Sequence, residues 1–247
     1  MDQPAPLFDK ERQVAAKARQ ALAQAKDAPL ASALGELVGE YEMLLERAGR
    51  VAELAASVQE DLEAAMAQVA QLSQVDGLTG AMNRRSFEKL LSRDWAQAQR
   101  EGSPLSMLVV NVDLFRAFND LYGSLSADDC LKSAAQAVMR CLYREVDVVA
   151  RMEGDTFVVL LPGAETQGAR VVAERILKEV ADLEIPHLES HHGGVVTVSV
   201  GLSTATPTRG DAPMSLVRSA QAALGRAKEM GRNTVAQHPG QEVEQGQ

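Results

Sequence analysis

The sequence predicts an α/β (α+β) domain preceded by a helical segment, and three observations support this prediction. Residues 34–72 repeat apolar side chains at alternating spacings of three and four, which is typical of a long amphipathic helix. From residue 75 onward, short runs rich in β-branched residues alternate with longer helical patterns, which favours helices layered on a sheet. With 247 residues, of which 46% are hydrophobic, the chain is long enough to build such a core.

Composition and charge narrow the classes of function. The net charge is −9 and the sequence pI is near 5.0, which argues against a nucleic-acid polymer as partner, because such a partner needs a broad positive surface. Cys130 and Cys141 fall in one predicted helix, so we expect reduced core residues and not a disulfide framework. No signal peptide and no run near the ~20 apolar residues of a membrane span is visible, which predicts a cytoplasmic protein.

The first domain, residues 1–74, is predicted to contain two helices. Residues 8–28 form an alanine-rich helix that Asp27-Ala28-Pro29 should end. The second helix has apolar residues or tyrosine at both seam positions of a heptad: Leu34, Tyr41, Ala48, Ala55, Leu62 and Val69 at a, and Leu37, Leu44, Val51, Val58, Ala65 and Leu72 at d. Two compatible interpretations follow, a coiled-coil dimer or an intramolecular bundle with residues 8–28.

The second domain, residues 75–236, begins where Asp76-Gly77 breaks the helical pattern. The patterns predict strands over residues 105–110, 155–161 and 195–200, and helices over residues 84–98, 126–143, 165–183 and 214–230. A polar tail over residues 237–247 is predicted to be disordered.

A series of short motifs runs through this domain in a fixed order. They are Asp76-Gly77-Leu78-Thr79-Gly80-Ala81-Met82-Asn83-Arg84-Arg85, Asn119-Asp120 with Tyr122-Gly123, Arg144-Glu145-Val146-Asp147, Glu153-Gly154-Asp155-Thr156-Phe157, Thr197-Val198-Ser199-Val200-Gly201, and Ala227-Lys228 with Gly231-Arg232-Asn233. In order and spacing the set resembles the GGDEF diguanylate cyclase domain. The resemblance implies a palm-like fold, with a mainly antiparallel sheet between helices. It also implies a reaction in which two GTP molecules, bound with Mg²⁺, give cyclic di-GMP and two diphosphates.

The positions that hold the metal in this family are altered here. The resemblance places the first metal carboxylate at residue 111, which is Asn111, and the others at Asp155 and Thr156 of the signature. Glu153 replaces the first glycine, while Gly154 is kept. A unit charge at ~4 Å is worth about 4 kcal/mol at an effective dielectric near 20, so these changes oppose Mg²⁺-GTP binding. Asp155 is the remaining candidate for a catalytic and metal-binding residue, and the site at Asn111 is degenerate.

The positions that bind GTP itself are retained in type. By the same resemblance, Asn119 and Asp128 would hydrogen-bond guanine, and Lys228 and Arg232 would hold the terminal phosphates. An alternative for the two basic residues is a solvated last helical turn, where cations favour the helix dipole.

The R-x-x-D motif is also retained, and in this family it binds cyclic di-GMP at an inhibitory site. Arg144 and Asp147 fill the motif, and Arg175 matches a further arginine that the family uses there. A guanidinium fork can bond guanine O6 and N7, and a carboxylate can accept from N1 and N2. The alternative is a surface salt bridge of little energetic value.

Together these features predict a cyclic-di-GMP receptor or regulatory scaffold with an impaired GGDEF site. It would form a homodimer through the N-terminal helices and pass its signal to a protein partner. One alternative is a slow or partner-activated diguanylate cyclase, and another is an interaction module without a nucleotide ligand. Three histidines, His187, His191 and His192, are expected in a solvated loop and not in a metal site.

Overall fold

The computed structural model describes residues 8–24 and 28–238. Contacts within the chain divide it into two compact units, the first ending at Leu72 and the second beginning at Ser73. In the part of the chain that is described, no helix is both long and apolar enough to cross a bilayer.

The first unit consists of α1 (Asp9–Leu22) and α2 (Ala28–Leu72). Pro29 lies in the first turn of α2, where its missing N–H costs nothing because that group has no intrahelical partner. The predicted end of the first helix at residues 27–29 is therefore wrong. Pro29 marks the start of α2, and α1 ends earlier, at Leu22.

One stripe of α2 packs against α1. Ala15 of α1 and Leu45 of α2 are both buried, and Arg19 pairs with Glu42 at 2.8 Å. Leu45 and Glu42 occupy positions e and b of the heptad in which Leu44 is d. The intramolecular contact therefore uses the b and e positions of α2, next to the a/d seam.

The a/d seam itself faces away from α1. Its large side chains in the described range are each at least 41% exposed: Leu34, Leu37, Tyr41, Leu44, Val51, Val58 and Leu62. The side chains of Ala65, Val69 and Leu72 lie outside the described residues. Both sequence interpretations therefore remain compatible, because packing with α1 leaves the seam uncovered.

The second unit is a sheet with helices on both faces. Its elements are β1 (Met82–Asn83), α3 (Arg84–Glu101), β2 (Leu105–Val112), α4 (Phe115–Arg140), β3 (Val148–Glu153), β4 (Thr156–Pro162), α5 (Thr166–Ala181), β5 (Val198–Ala205), α6 (Pro213–Glu229) and β6 (Val235–Gln237). The strand order is β1-β3-β4-β2-β5-β6. The central pairs are antiparallel, and the two edge strands pair in parallel. The predicted α/β (α+β) fold is confirmed.

Strand β2 is buried over its whole length because helices cover both faces of the sheet. Leu108 and Val110 pack into the core beneath α4 and α5, while Met107 and Val109 pack into the core beneath α3 and α6. On the latter face, a Cβ placed on Gly201 of β5 would lie 2.1 Å from a backbone oxygen of α6. Glycine therefore permits the close approach of β5 and α6.

Several element boundaries differ from the sequence prediction. Helix α4 begins at Phe115 and not at residue 126, and it is interrupted at Gly123, whose φ of 81° and ψ of 166° are not helical. Strands β1, β3 and β6 were not predicted. The strand predicted over residues 195–200 begins at Val198, while Val195 forms only an isolated bridge. Gln237 belongs to β6 and not to a tail, and residues 239–247 lie outside the described range.

Candidate functional site

Four polar residues meet where β2 ends beside the turn between β3 and β4; Asn111, Asp113, Asp155 and Thr156 are called the strand-end cluster. Asn111 lies opposite Thr156 in the β2–β4 ladder, and its side-chain Nδ2 donates to Thr156 Oγ1 at 3.0 Å. The backbone N–H of Val112 donates to the carbonyl of Asp155 at 3.2 Å. The pairing of β2 with β4 thus brings the predicted metal positions together.

Asp113 is the buried member of this cluster, with an exposure of 4%. Its carboxylate accepts from Thr197 Oγ1 at 2.8 Å, from Ser199 Oγ at 2.6 Å and from the backbone N–H of Asn233 at 3.1 Å. Both carboxylate oxygens are engaged in these bonds. Through these hydrogen bonds Asp113 links the end of β2 to β5 and to the turn after α6.

The β3–β4 turn directs Glu153 toward α3. Gly154 occupies this turn with a φ of 54°, a conformation that glycine adopts without strain. The Glu153 carboxylate lies 3.7 Å from Arg84 Nη1, and its side chain is 81% exposed. A cavity of about 230 Å³ below this pair is also lined by Thr156 and Val109. The extra acid is thus partnered by a cation of α3.

Arg151 connects this turn to the beginning of the second unit. Its guanidinium donates from Nε and Nη2 to the Gly154 carbonyl at 2.9 and 2.7 Å, and from Nη1 to Asp76 Oδ1 at 3.1 Å. Asp76 also accepts from the backbone N–H and the hydroxyl of Thr79. Burial raises the pKa of Asp76, but the bonds from Thr79 and Arg151 outweigh it and hold the pKa below its usual value.

The predicted GTP positions lie on α4 and at the end of α6. Asn119 and Asp128 stand on either side of the interruption at Gly123 in α4. Lys228 is in the last turn of α6, and Arg232 follows with a φ of 70°. Within residues 8–24 and 28–238 these four side chains make no hydrogen bond, and Asp128 interacts electrostatically with Lys132 of the same helix.

A second group of residues surrounds the connection between α4 and β3; Cys141, Tyr143, Arg144, Asp147 and Arg175 are called the Arg144 cluster. Arg144 Nε donates to Asp147 Oδ2 at 3.0 Å, and its Nη2 donates to Oδ1, which makes the pair bidentate. Arg175 Nη1 donates to the Cys141 carbonyl at 2.9 Å, and its guanidinium lies 4.1 Å above the centre of the Tyr143 ring. The three predicted cyclic-di-GMP residues thus lie around one connection, with Arg144 in contact with Asp147, and Arg175 in contact with Cys141 and Tyr143.

The two clusters lie toward opposite ends of the sheet. Val148, which follows Asp147, pairs with Leu160, and Leu160 pairs with Met107. Met107 precedes Asn111 by four residues, so the clusters are separated along the strands by roughly 14 Å. A ligand in contact with Arg144 would therefore meet a surface distinct from the strand-end cluster.

The comparison with protein families decides the identity of the second unit. Residues 73–234 match the family described as diguanylate cyclase, GGDEF domain. The chain belongs to the GGDEF domain family. Its GGDEF domain is similar to that of the response regulator PleD of Caulobacter vibrioides, with 33% identity over 165 residues. That match covers 67% of this chain and 36% of PleD, so the chain spans about a third of the length of this relative.

Two solved GGDEF structures extend the similarity to the N-terminal helices. The coiled coil and GGDEF domain of DgcB from Caulobacter crescentus, in complex with c-di-GMP, matches with a TM-score of 0.62 and 30% identity, covering 76% of this chain and 97% of that one. Diguanylate cyclase SiaD in complex with its activator SiaC, from Pseudomonas aeruginosa, matches with a TM-score of 0.59 and 26% identity, covering 92% of this chain and 99% of that one.

The histidines of the GGDEF domain differ from one another in environment. His187 is 1% exposed and contacts the Phe118 ring edge-on at 5.3 Å, so the prediction of a solvated loop is wrong for this residue. His192 Nε2 forms a hydrogen bond of 2.8 Å with the Gly231 carbonyl. Within the described ranges, no group of three or more His, Cys, Asp or Glu side chains is arranged to hold a metal ion.

Sequence reasoning missed two residues that shape the GGDEF domain's sites. Arg151 supports the β3–β4 turn, and Tyr143 supports Arg175. Each stands close to a recognised motif, Tyr143 directly before Arg144 and Arg151 two residues before Glu153. Proximity to these motifs is the feature of the sequence that could have indicated Tyr143 and Arg151. Their contacts could not be predicted, because they form only in the folded chain.

Proposed function

We propose that this chain is a cyclic-di-GMP receptor or regulatory scaffold whose GGDEF domain has an impaired cyclase site. The observation that carries the proposal is the hydrogen bond between Asn111 and Thr156, which occupies positions where the family has metal-binding carboxylates. The bidentate pair of Arg144 and Asp147, by contrast, keeps the residues of the family's R-x-x-D site.

The donor set at the strand-end cluster fits Mg²⁺ poorly. Mg²⁺ prefers carboxylate oxygens and water in octahedral geometry. Asn111 and Thr156 are neutral and bonded to each other, and Asp113 is already engaged by Thr197, Ser199 and Asn233. Asp155 alone offers a carboxylate not used in this way. Since about 1.4 kcal/mol is a factor of ten in affinity, the loss of two charged ligands weakens Mg²⁺-GTP binding severely.

The Arg144 cluster has the chemistry to recognise guanine. Arg144 is 46% exposed, while the Asp147 side chain is 4% exposed and both of its carboxylate oxygens accept from Arg144. The Arg144 guanidinium is therefore the group of this pair that an incoming guanine would meet first. A cavity of about 400 Å³ opens beside Arg144, the one member of the cluster that lines it, with Glu165 and Val172 also in its wall. The similarity to DgcB, whose structure is a complex with c-di-GMP, supports this ligand for the present chain.

The N-terminal helices are the part of the chain that would transmit the signal, through a homodimer and a protein partner. The exposed a/d seam of α2 is the surface through which we propose a homodimer, because a heptad seam is stabilised by burying its apolar residues against a second helix. Similarity to the SiaD–SiaC complex over 92% of this chain supports a protein partner as well. A pull-down from the source cell would identify this partner.

A slow or partner-activated diguanylate cyclase is the second candidate. The side chains of Asn119, Asp128, Lys228 and Arg232 make no hydrogen bond within the described residues. Together with Asp155 they favour this candidate, because they would bind GTP with Mg²⁺ as its cofactor. In that case the products would be cyclic di-GMP and two diphosphates.

Calorimetric titration tests the choice between these functions. The 247-residue chain is titrated with cyclic di-GMP and, separately, incubated with GTP and Mg²⁺. We expect binding of cyclic di-GMP that is lost in Arg144→Ala and unchanged in Arg170→Ala, a control that removes an exposed, ion-paired arginine of α5. No binding at any temperature would refute the receptor function and favour an interaction module. Steady product formation that disappears in Asp155→Ala would establish the cyclase instead.

A further inference from the structure

The Tyr143 ring and the Arg175 guanidinium form a contact that the family motif does not include. The guanidinium carbon lies 4.1 Å from the ring centre, well within the range of a cation–π interaction. Tyr143 is 75% exposed, so the ring contributes little to the core. The residue directly precedes Arg144, which places the ring at the edge of the proposed ligand site.

The end of α4 explains how this ring comes to lie under Arg175. Cys141 is the C-terminal cap of α4 and is 1% exposed, so its backbone is fixed by the core. Its carbonyl, left without a helical partner, accepts from Arg175 Nη1 at 2.9 Å. A turn follows, closed by a bond of 3.0 Å from the Asp147 N–H to the Arg144 carbonyl. Tyr143 and Arg144 are therefore consecutive residues of the short connection that leads from α4 into this turn.

Two contacts thus restrict Arg175. An arginine on a helix surface samples many rotamers, and ordering it on ligand binding costs conformational entropy. Here Nη1 bonds to the Cys141 carbonyl and the guanidinium carbon lies over the Tyr143 ring, while the other N–H groups of Arg175 make no hydrogen bond within the described residues. Preorganisation of this kind increases affinity because the ordering has been completed before the ligand arrives.

We propose that Tyr143 is a positioning residue that holds Arg175 ready for the guanine edge of cyclic di-GMP. The inference rests on the proposed receptor function and adds to it a residue outside the R-x-x-D motif. The proposed role requires the aromatic face of Tyr143 and does not require its phenolic hydroxyl.

A double-mutant cycle on the 247-residue chain tests this role, with the affinity for cyclic di-GMP as the readout. Tyr143→Phe keeps the ring and should bind like the wild type. Tyr143→Leu and Tyr143→Gln should weaken binding about two- to fivefold, the worth of an exposed cation–π contact. In an Arg175→Ala background, Tyr143→Leu should have no further effect, because the residue it positions is gone.

The outcomes separate this inference from the proposed function. If wild type binds and Arg144→Ala does not, while Tyr143→Leu binds like wild type, the role of Tyr143 is refuted and the receptor function stands. An equal loss from Tyr143→Leu with and without Arg175 would show that the ring acts independently, which also overturns the positioning role. Absence of binding by wild type would refute the receptor function itself. Thermal unfolding of each variant identifies any loss of binding that is due to misfolding. If Tyr143→Leu is misfolded, Tyr143→Gln provides a second substitution that removes the ring.

Discussion

The Asn111 side-chain amide donates to the Thr156 hydroxyl at 3.0 Å, across a directly paired position of β2 and β4. Asn111 is only 7% exposed, so this bond is made largely out of solvent. Two neutral groups thus satisfy each other at a point of the GGDEF fold where the family resemblance places two carboxylates.

Restoring the carboxylates should restore metal-dependent chemistry. In the triple variant Asn111→Asp, Glu153→Gly and Thr156→Glu, two charged ligands return and one misplaced charge leaves. We expect GTP turnover to rise at least about tenfold, since a single recovered interaction of about 1.4 kcal/mol suffices for that factor. Product cyclic di-GMP is quantified by chromatography at fixed Mg²⁺ concentration.

Asp155 supplies the control for this gain. Adding Asp155→Ala to the triple variant should abolish the restored turnover, because it removes the carboxylate that both proteins share. If the triple variant folds, binds GTP and still turns over no faster than wild type, the substituted positions are not what limits the cyclase reaction.

Gly201 should tolerate no side chain. A Cβ at this position would lie 2.1 Å from the Ala220 carbonyl and 2.2 Å from the Leu224 amide nitrogen, and both belong to the backbone of α6. Gly201→Ala is expected to lower the free energy of unfolding by about 1–3 kcal/mol or more, as overpacking does. Gly168→Ala in α5 meets no atom within 4 Å and should be neutral or stabilising. Urea unfolding compares the two, and equal stabilities would contradict the close approach.

The bond network of Asp76 predicts a pH-dependent contribution to stability. Its pKa is held below the ordinary value of 3.8 in the folded protein, so the carboxylate stabilises the fold above that pH and loses this effect as pH falls through the folded pKa. Asp76→Asn should therefore cost about 1 kcal/mol or more at neutral pH. The difference from wild type should shrink below about pH 4. Urea unfolding of both proteins at several pH values measures it, and a difference independent of pH would refute the assignment.

The exposed seam of α2 predicts a dimer that a single charge can break. Leu44 and Val51 are 60% and 66% exposed, at consecutive d positions. Leu44→Asp and Val51→Asp should convert a wild-type dimer into a monomer in light scattering, because a charge buried in the seam would be desolvated. Glu46→Ala, which alters an exposed pair with Arg50 outside the seam, should stay dimeric. A monomeric wild type would contradict the proposal.

The long elements of the fold were predictable because their periodic patterns agree with their packing. Residues 84–98 and 165–183 show one apolar helical face, and that face is buried in α3 and α5. Strand β2 was visible as a run of mostly apolar residues, since helices cover both of its faces. Strand β3 was missed because its second half carries Arg151 and Glu153, which lie at an edge of the core and not within it.

The candidate sites were predictable as residue sets but not as contacts. Motif spacing placed Asn111, Thr156, Arg144 and Asp147, yet only the strand register shows that the first two are bonded to each other. The first part of α4 was missed because Gly123 interrupts the helical pattern. His187 was assigned to solvent because loops are usually exposed, whereas here the loop folds the ring against Phe118.

The placement of the strand-end cluster and the Arg144 cluster toward opposite ends of one sheet has a consequence for how such a protein can change over generations. Asn111 and Thr156 share no hydrogen bond or ion pair with Arg144, Asp147 or Arg175 in the described residues, and buried positions of paired strands lie between the two clusters. Under the proposed function, a lineage can therefore lose cyclase activity at the strand-end cluster while selection preserves cyclic-di-GMP binding at the Arg144 cluster. The same separation would allow substitutions in the strand-end cluster and in the Arg144 cluster to be made independently of each other.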